Sequence, residues 1–558
     1  MRRSRFASLL AAWLMFSGQA WATDEAAVAW LRDGRVEMRA LDGNSSINHG
    51  AATKVPLGSV WKLFVFSYLA ETHAEEPAYQ CAPSASQTSE ERYCCRAGEG
   101  VGRAAALARS CAPYFLPARL GIMQNRWQTH WKSRTTAPWL LDLKRLQPET
   151  EVTVGELLEA LAQIPPPARS EARSALLETG VEGYGREAWS RLGTGIRYKT
   201  YSWHRADGSA FGGAAGWLAD GTPFWFGARG SSRSTLTAWA TQLTAILPEP
   251  RWRDTAQAMG DPSCVDVDFF ARYPIRAVWQ ASASERAKPG DLKGRYRIEF
   301  ANGNWLSINA HGELILASDE NSHPIITGRF AINDYIARVI DREGSAHPAQ
   351  AARALAIAAR SYLVQNAHFE AGCWHIADSS RSQRVSANPP SNAALAAAWF
   401  TDEIVLGGTV VRYHKDAPGS NRLVWRDAVA RAGEGWDFER ILAQAYPQAS
   451  LTTLTGREDC TRLEAAENWL ASAASGWHAR LRKEPGFETL DGSPKVCALA
   501  DGHPYSDQQR QRIYVRGWRS FDERITLTHE YLHLVFRFHP NGANEDYVER
   551  LARRLIEG

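Results

Sequence analysis

Two short spacings in this sequence place reactive side chains where they could act together. Near the C-terminal end, His529-Glu530-Tyr531-Leu532-His533 sets two imidazoles four residues apart. On a helix these positions share a face, so both rings can reach one zinc ion through nitrogen. Glu530, beside the first imidazole, is placed to polarise a metal-held water and act as general base. Toward the other end, Ser59-Val60-Trp61-Lys62 puts a hydroxyl and an amine three residues apart. A lysine whose pKa is lowered by burial can take the serine proton and leave a nucleophile. The same spacing also suits an N-cap serine followed by a surface lysine, so the surroundings have to decide.

The elements that would hold these groups can be read around them. "RIYVRGW" reads as an edge strand, "SFDE" as a turn and "ITLTHEYLHLVFRF" as a mostly apolar helix. If that helix continues through "LVFRF", His539 lies about 9 Å further along its axis than His533 and cannot share the metal. Pro540 and Gly542 end the helix, and Asn544 can cap the next one, "EDYVERLARRLIE". Glu545, in its first turn, is the favoured third ligand, with Glu549, Asp546 and His539 as alternatives. A first-turn acid also offsets the helix dipole, which is the plainer role for Glu545. Around the serine, "AWLRDGRVEMRAL" reads as two short strands about an Asp-Gly turn, and "VPLGSVWKLFVFSYLAE" as a buried helix beginning near Gly58.

A chain of 558 residues exceeds one hydrophobic core, and about three domains are expected. Its 64 basic and 61 acidic residues form no basic block, which argues against a nucleic-acid partner. The 22 tryptophans suit either sugar stacking or core filling. Arg2, Arg3 and Arg5, then "FASLLAAWLMF" and Ala20-Trp21-Ala22, make residues 1–22 a cleavable export signal. No later segment is long and apolar enough to span a bilayer. The eight cysteines contain no Cys-x-x-Cys pair and point to disulfides in an oxidising compartment, with Cys460–Cys497 the preferred pair.

Order and spacing in the first third resemble the transpeptidase domain of penicillin-binding proteins and serine β-lactamases. Ser59-Val60-Trp61-Lys62 matches that family's Ser-x-x-Lys. Ser110-Cys111-Ala112 stands where Ser-x-Asn is expected, with Ala112 replacing the asparagine. Lys199-Thr200-Tyr201 stands for Lys-Thr-Gly, with Tyr201 replacing the glycine. The resemblance implies Ser59 and Lys62 as catalytic and Ser110, Lys199 and Thr200 as substrate-binding; a tyrosine at 201 is expected to narrow the cleft.

In the middle third, β-rich "GRYRIEFANGNWLSINAHGELILA" precedes "INDYIARVIDREGSAHPAQAARALAIAARSY", an alanine-rich helix behind Glu343. This resembles the stage II sporulation protein D family of lytic transglycosylases, whose catalytic acid maps onto Glu343. Ala377, Arg381 and Ser382 occupy the places of that family's Cys/His cluster, with Cys373 and His375 nearby.

The whole layout resembles the YfaQ-like secreted proteins of Gram-negative bacteria. The expected architecture is multidomain α/β and α+β. It comprises signal 1–22, a β-lactamase-like domain 23–255, a linker 256–289, a stage II sporulation protein D-like domain 290–450 and a zincin-like domain 451–558. The expected function is a periplasmic, peptidoglycan-associated zinc-dependent hydrolase with wall-recognising upstream domains. The alternatives are a non-catalytic wall-binding scaffold or defence protein, and a periplasmic protease localised to the wall. Zn2+ is the implied cofactor, and the family context implies a periplasmic alpha-macroglobulin-like partner.

Overall fold

The computed structural model describes residues 26–558 except 42–49, 84, 96, 136, 182–185, 205–207, 253–263, 282–284, 418, 420, 448, 455–461, 491, 499–503, 508–510 and 538. The export segment lies outside the described residues.

Strands β1 (Ala27–Arg32) and β2 (Arg35–Ala40) form a hairpin whose turn residues, Asp33 and Gly34, both have positive φ. That is the backbone an Asp-Gly pair adopts most readily in a two-residue hairpin. A short pair, β3 (Lys54–Pro56) and β4 (Glu151–Thr153), brackets a helical region. The meander β5 (Arg197–His204), β6 (Ala210–Trp217) and β7 (Pro223–Arg229) then completes an antiparallel sheet in the order β2-β1-β7-β6-β5. The returning hairpin thus pairs with the last strand of the meander.

One face of this sheet packs on helix α1 (Trp61–Thr72), which is buried from Trp61 through Ala70. A helix apolar on every side is stable only when covered all round. Trp127, Trp131, Trp139, Trp217 and Trp225 fill that core. The tryptophan load is thus largely core volume, and the partly exposed Trp305 is covered by the Arg297 guanidinium at 3.7 Å.

The middle domain is a seven-stranded sheet under two helices. Its strands are β8 (Cys264–Phe269), β9 (Ile275–Gln280), β10 (Gly290–Phe300), β11 (Trp305–Ser318), β12 (Pro324–Ala331), β13 (His368–Glu370) and β14 (Cys373–Ala377), in the order β13-β14-β8-β12-β11-β10-β9. The expected linker 256–289 is therefore corrected. Residues 264–280 supply an inner strand and an edge strand of this sheet, and Val265, Val267, Ile275 and Val278 are buried in its core. A disulfide joins Cys264 on β8 to Cys373 on the adjacent β14. Further strands are β15 (Ile404–Gly407), β16 (Arg412–His414), β17 (Arg422–Val424) and β18 (Ser450–Thr453), which pair as β15 with β18 and β16 with β17.

Before the meander comes helix α2 (Pro166–Val181), and the middle domain's central helices are α3 (Ile332–Glu343) and α4 (Ala349–Asn366). Alanines at 351, 352, 354, 356, 358 and 359 are fully buried, letting α4 lie close to its neighbours. Gly344 separates α3 from the turn, where a Cβ would stand 2.7 Å from Leu355.

The first and middle domains meet across a buried ionic seam. Arg197 on β5, with a side chain 1% exposed, pairs with Asp402 at 2.9 Å, and Arg173 on α2 lies 3.6 Å from the same carboxylate. Asn333 at the start of α3 donates to the other Asp402 oxygen at 2.6 Å and accepts from Arg360 of α4 at 2.8 Å. Arg360 also donates to the carbonyls of Thr401, Ile404 and Ala398.

The last domain holds β19 (Lys495–Ala498), β20 (Tyr505–Asp507) and β21 (Arg512–Val515) in the order β19-β21-β20, with helices 464–481, α5 (Phe521–Val535) and α6 (Glu545–Glu557). Two local readings change here. The strand "RIYV" is central rather than an edge, since Ile513, Tyr514 and Val515 are all buried. "SFDE" is the capping box of α5: Ser520 accepts from Glu523 N while Glu523 accepts from Ser520 N.

Candidate functional site

The serine and lysine near the start of α1 lie together. Residues 58–60 form a tight turn leading into α1, so Ser59 precedes Lys62 by one turn and stays half-exposed while Lys62 is buried. Gly58 has positive φ, and a Cβ there would stand 2.7 Å from Tyr201 Cβ, so only glycine fits the turn against β5.

Lys62 Nζ donates to Ser59 Oγ at 3.1 Å, to Ser110 Oγ at 3.0 Å and to the Ser110 carbonyl at 2.8 Å. Ser110 follows the helix 103–108 with φ +60°, a left-handed conformation uncommon outside glycine and asparagine. Its hydroxyl and its carbonyl both accept from Lys62. The next residue, Cys111, is bonded to Cys94, and Cys81 to Cys95. The sulfurs of 94, 95 and 111 lie close together, but they are spent in these two bonds and offer no thiolate.

Lys199 on β5 is buried with its ammonium donating to the Thr200 carbonyl at 3.3 Å. Burial lowers the Lys62 pKa to about 8. Burial, and then the neighbouring charge of Lys62, holds Lys199 well below the usual lysine value. Thr200 follows on the opposite pleat and is half-buried. Tyr201 does not narrow the cleft as expected: its ring packs over Gly58 and against Phe211, and its hydroxyl donates to the Phe226 carbonyl at 3.2 Å.

Glu343 ends α3 with its carboxylate accepting from Arg384 N at 2.7 Å. Burial raises its pKa, and Asp378 is raised by the same cause. Beside it, Tyr335 donates to Gln383 at 2.6 Å, and Gln383 donates to Tyr413 at 2.8 Å. Cys373 is committed to its disulfide, and His375 faces Asp266 at 3.6 Å on the sheet.

On α5, His529 and His533 face each other with their Nε2 atoms 3.0 Å apart. His533 Nδ1 lies 2.7 Å from the Gly542 carbonyl, and His529 Nδ1 lies 3.0 Å from the Glu549 carboxylate. Each Nδ1 thus faces an oxygen acceptor, and the two Nε2 atoms face each other. Glu530 is buried beside them. Glu549, offered from sequence as an alternative ligand, instead sits on the outer edge of the His529 ring, because α6 crosses α5 on that side. The helix ends at Val535, and His539 accepts from Asn541 N while packing on Gly486. Asp546 is exposed, and the side chain of Glu545 lies outside the described residues. Cys497 is disulfide-bonded, and Cys460 lies outside the described residues. Sequence reasoning missed the ring partners Glu549 and Gly542 in those roles; the α6 spacing that brings Glu549 onto α5 was the available signal.

Residues 86–209 and 421–541 match the family described as predicted secreted protein (DUF2300). The protein YfaQ of Escherichia coli (strain K12) is 41% identical over 504 residues, 90% of this chain and 89% of that protein. The chain belongs to this family of predicted secreted proteins. That description agrees with the export signal read in residues 1–22, and among the described residues no helix is long and apolar enough to cross a membrane.

Among solved structures, a β-lactamase from Desulfarculus baarsii is similar at 17% identity and TM-score 0.27, covering 40% of this chain and 93% of that chain. The transpeptidase domain of the FtsI4 D,D-transpeptidase from Legionella pneumophila is similar at 13% and 0.27, covering 41% and 90%. A class D β-lactamase from Bacillus subtilis is similar at 12% and 0.28, covering 40% and 93%. Scores of this size add nothing to the site geometry, which stands on the contacts above.

Proposed function

We propose that this secreted protein is a cell-wall-associated acyl-transfer hydrolase working through Ser59. The observation that carries the reading is Lys62 Nζ held between Ser59 Oγ and Ser110 Oγ, at 3.1 and 3.0 Å, with a pKa near 8. In its neutral form Lys62 takes the Ser59 proton as Oγ bonds to the substrate carbonyl carbon. As the carbon–nitrogen bond breaks, Ser110 Oγ passes a proton from Lys62 to the departing nitrogen. Water then releases the acyl group and restores the Ser59 proton. Lys199, beside this centre, suits a carboxylate on the substrate; that negative charge favours its protonated form. Substrates combining an amide with a nearby carboxylate, such as peptidoglycan stem peptides, have the matching chemistry. Glu343, with its raised pKa, is the corresponding candidate acid if glycan is also engaged.

The test is covalent labelling by a fluorescent β-lactam. Because the base must be neutral, the acylation rate should rise through pH 8, by about tenfold between pH 7 and pH 9. A profile flat across that interval counts against Lys62 as the base.

A second reading, a zinc-dependent hydrolase in the last domain, is favoured by the facing Nε2 atoms of His529 and His533. The two Nε2 atoms stand 3.0 Å apart, close to the separation of about 3.3 Å between ligands on tetrahedral zinc. The residues therefore fit the ion: His529 and His533 would hold it, Glu549 and Gly542 would fix their rings, and the ion would supply Lewis acidity. Glu530 would serve as proton acceptor there. Protein purified with added zinc should bind about one ion per chain, and His533→Ala should lose it by elemental analysis. Equal zinc in wild type and His533→Ala would remove this reading.

A further inference from the structure

We propose that the solvent face of the middle-domain sheet, at its β9–β10–β11 end, docks a glycan strand whose substituents carry carboxylates. The proposal rests on the cell-wall association proposed above and gives it a surface outside the serine centre. From Arg272 to Glu299 the sequence holds seven basic and three acidic residues, a balance of +4 in a chain whose total is +3. No run of charge marks this excess, because strand pairing rather than sequence adjacency gathers it.

Register sets the groups side by side. Arg297 on β10 stands opposite Trp279 of β9 and Ser307 of β11, and Arg295 stands opposite Asn309. Tyr296 between them and Ile298 beyond are buried, so Arg295 and Arg297 share the solvent face about 7 Å apart. The Arg297 guanidinium lies 3.7 Å from the centre of the Trp305 ring, and that of Arg286 lies 5.4 Å from the centre of the Trp279 ring. Glu299 on the same face is already engaged, by Arg276 at 3.1 Å and by Trp279 Nε1 at 3.2 Å. Among the described residues, the exposed Arg286, Arg295 and Arg297 form no ion pair and their guanidinium groups no hydrogen bond.

Stacking on a ring holds a guanidinium plane in place and leaves its N–H donors free around the edge, the geometry that takes a carboxylate two oxygens at a time. Three such cations call for an anionic partner with more than one charge. The rings beside them select among anionic partners. Trp305 is 42% exposed, and an aromatic surface next to a cation suits the apolar C–H face of a sugar ring whose substituent bears the charge. A carboxylated glycan offers both groups, whereas a phospholipid surface offers only the charge. The face includes none of Ser59, Lys62, Glu343, His529 or Glu530, so binding here is separate from the proposed chemistry.

Cosedimentation of the full mature chain tests the face with three probes: purified sacculi, sacculi whose carboxylates have been amidated, and phosphatidylglycerol vesicles. The wild type should pellet with native sacculi, less so as salt rises, and about tenfold more weakly with amidated sacculi. Combined Arg286→Gln and Arg295→Gln should weaken binding to native sacculi by about tenfold or more, whereas Arg39→Gln on the far hairpin should not. Melting curves report whether the double variant folds; if it does not, the wild-type comparison of native with amidated sacculi still decides. Fluorescent β-lactam labelling separates the two proposals. Protein that labels but does not pellet overturns this surface alone, and protein that pellets but does not label overturns the acyl-transfer reading alone. Equal binding to native and amidated sacculi, a folded double variant that binds as wild type does, or tighter binding to vesicles than to sacculi would each overturn the glycan site.

Discussion

Ser59→Ala should abolish covalent labelling by a fluorescent β-lactam while leaving the melting transition in place. Ser59 is half-exposed at the mouth of the centre, and its hydroxyl is held there by Lys62. Removing one oxygen costs little packing, and it removes the atom proposed to form the acyl bond. Lys62→Met keeps the buried chain but deletes the base. Labelling should then slow by 10²- to 10⁴-fold, about the worth of a positioned general base. Ser110→Ala should fall between wild type and Lys62→Met, since the Ser110 carbonyl still orients the amine. Labelling of Ser59→Ala at the wild-type rate would show that the lactam reacts elsewhere and would end the serine reading.

Asp402→Ala should destabilise the fold by about 3–5 kcal/mol, because it leaves the buried cations only Glu403, 3.4 Å from Arg197 and more exposed than Asp402, as counter-charge. Arg197 and Arg173 point at this one carboxylate from the first domain, and Asn333 holds its other oxygen from the middle domain. Desolvation already lowers the Arg173 pKa to about 9, an indication of how little water reaches it. A denaturant titration of a chain of several domains need not be two-state, so the readout is the midpoint of the first transition. Arg197→Met combined with Asp402→Ala should recover part of the loss, since one of the stranded charges is then gone. An Asp402→Ala midpoint within error of wild type would mean that the seam is solvated.

Much of this organisation is legible in local sequence. Asp33-Gly34 specifies a hairpin turn, an apolar run around Ser59 specifies a buried helix, and alanine spacing specifies a tightly packed one. Histidines four apart can only share a helix face if the segment is helical, and the capping box at Ser520 starts it in the right place. What local pattern could not supply is contact between distant segments. Residues 264–280 look like a connector because their strand partners lie at 296–300, 326–331 and 373–377, outside any short window. Nothing in its local sequence sets Asp402 apart until Arg197, 205 residues earlier, is laid against it. Glu549 reads as a ligand or a surface acid, and only the crossing of two helices puts it on the outer edge of an imidazole. Tyr201 reads as an obstruction, whereas the backbone of β7 gives its hydroxyl somewhere else to go.

The bond between Cys94 and Cys111 closes immediately beside Ser110, the residue whose two oxygens hold Lys62. Thiols stay reduced in the compartment where the chain is made and become bridged where it is delivered. A freshly synthesised chain therefore carries Ser59 and Lys62 but lacks the covalent tie that steadies their third member. Under the proposed mechanism, completion of the serine centre would follow arrival, with oxidation at the destination as the last step of its assembly.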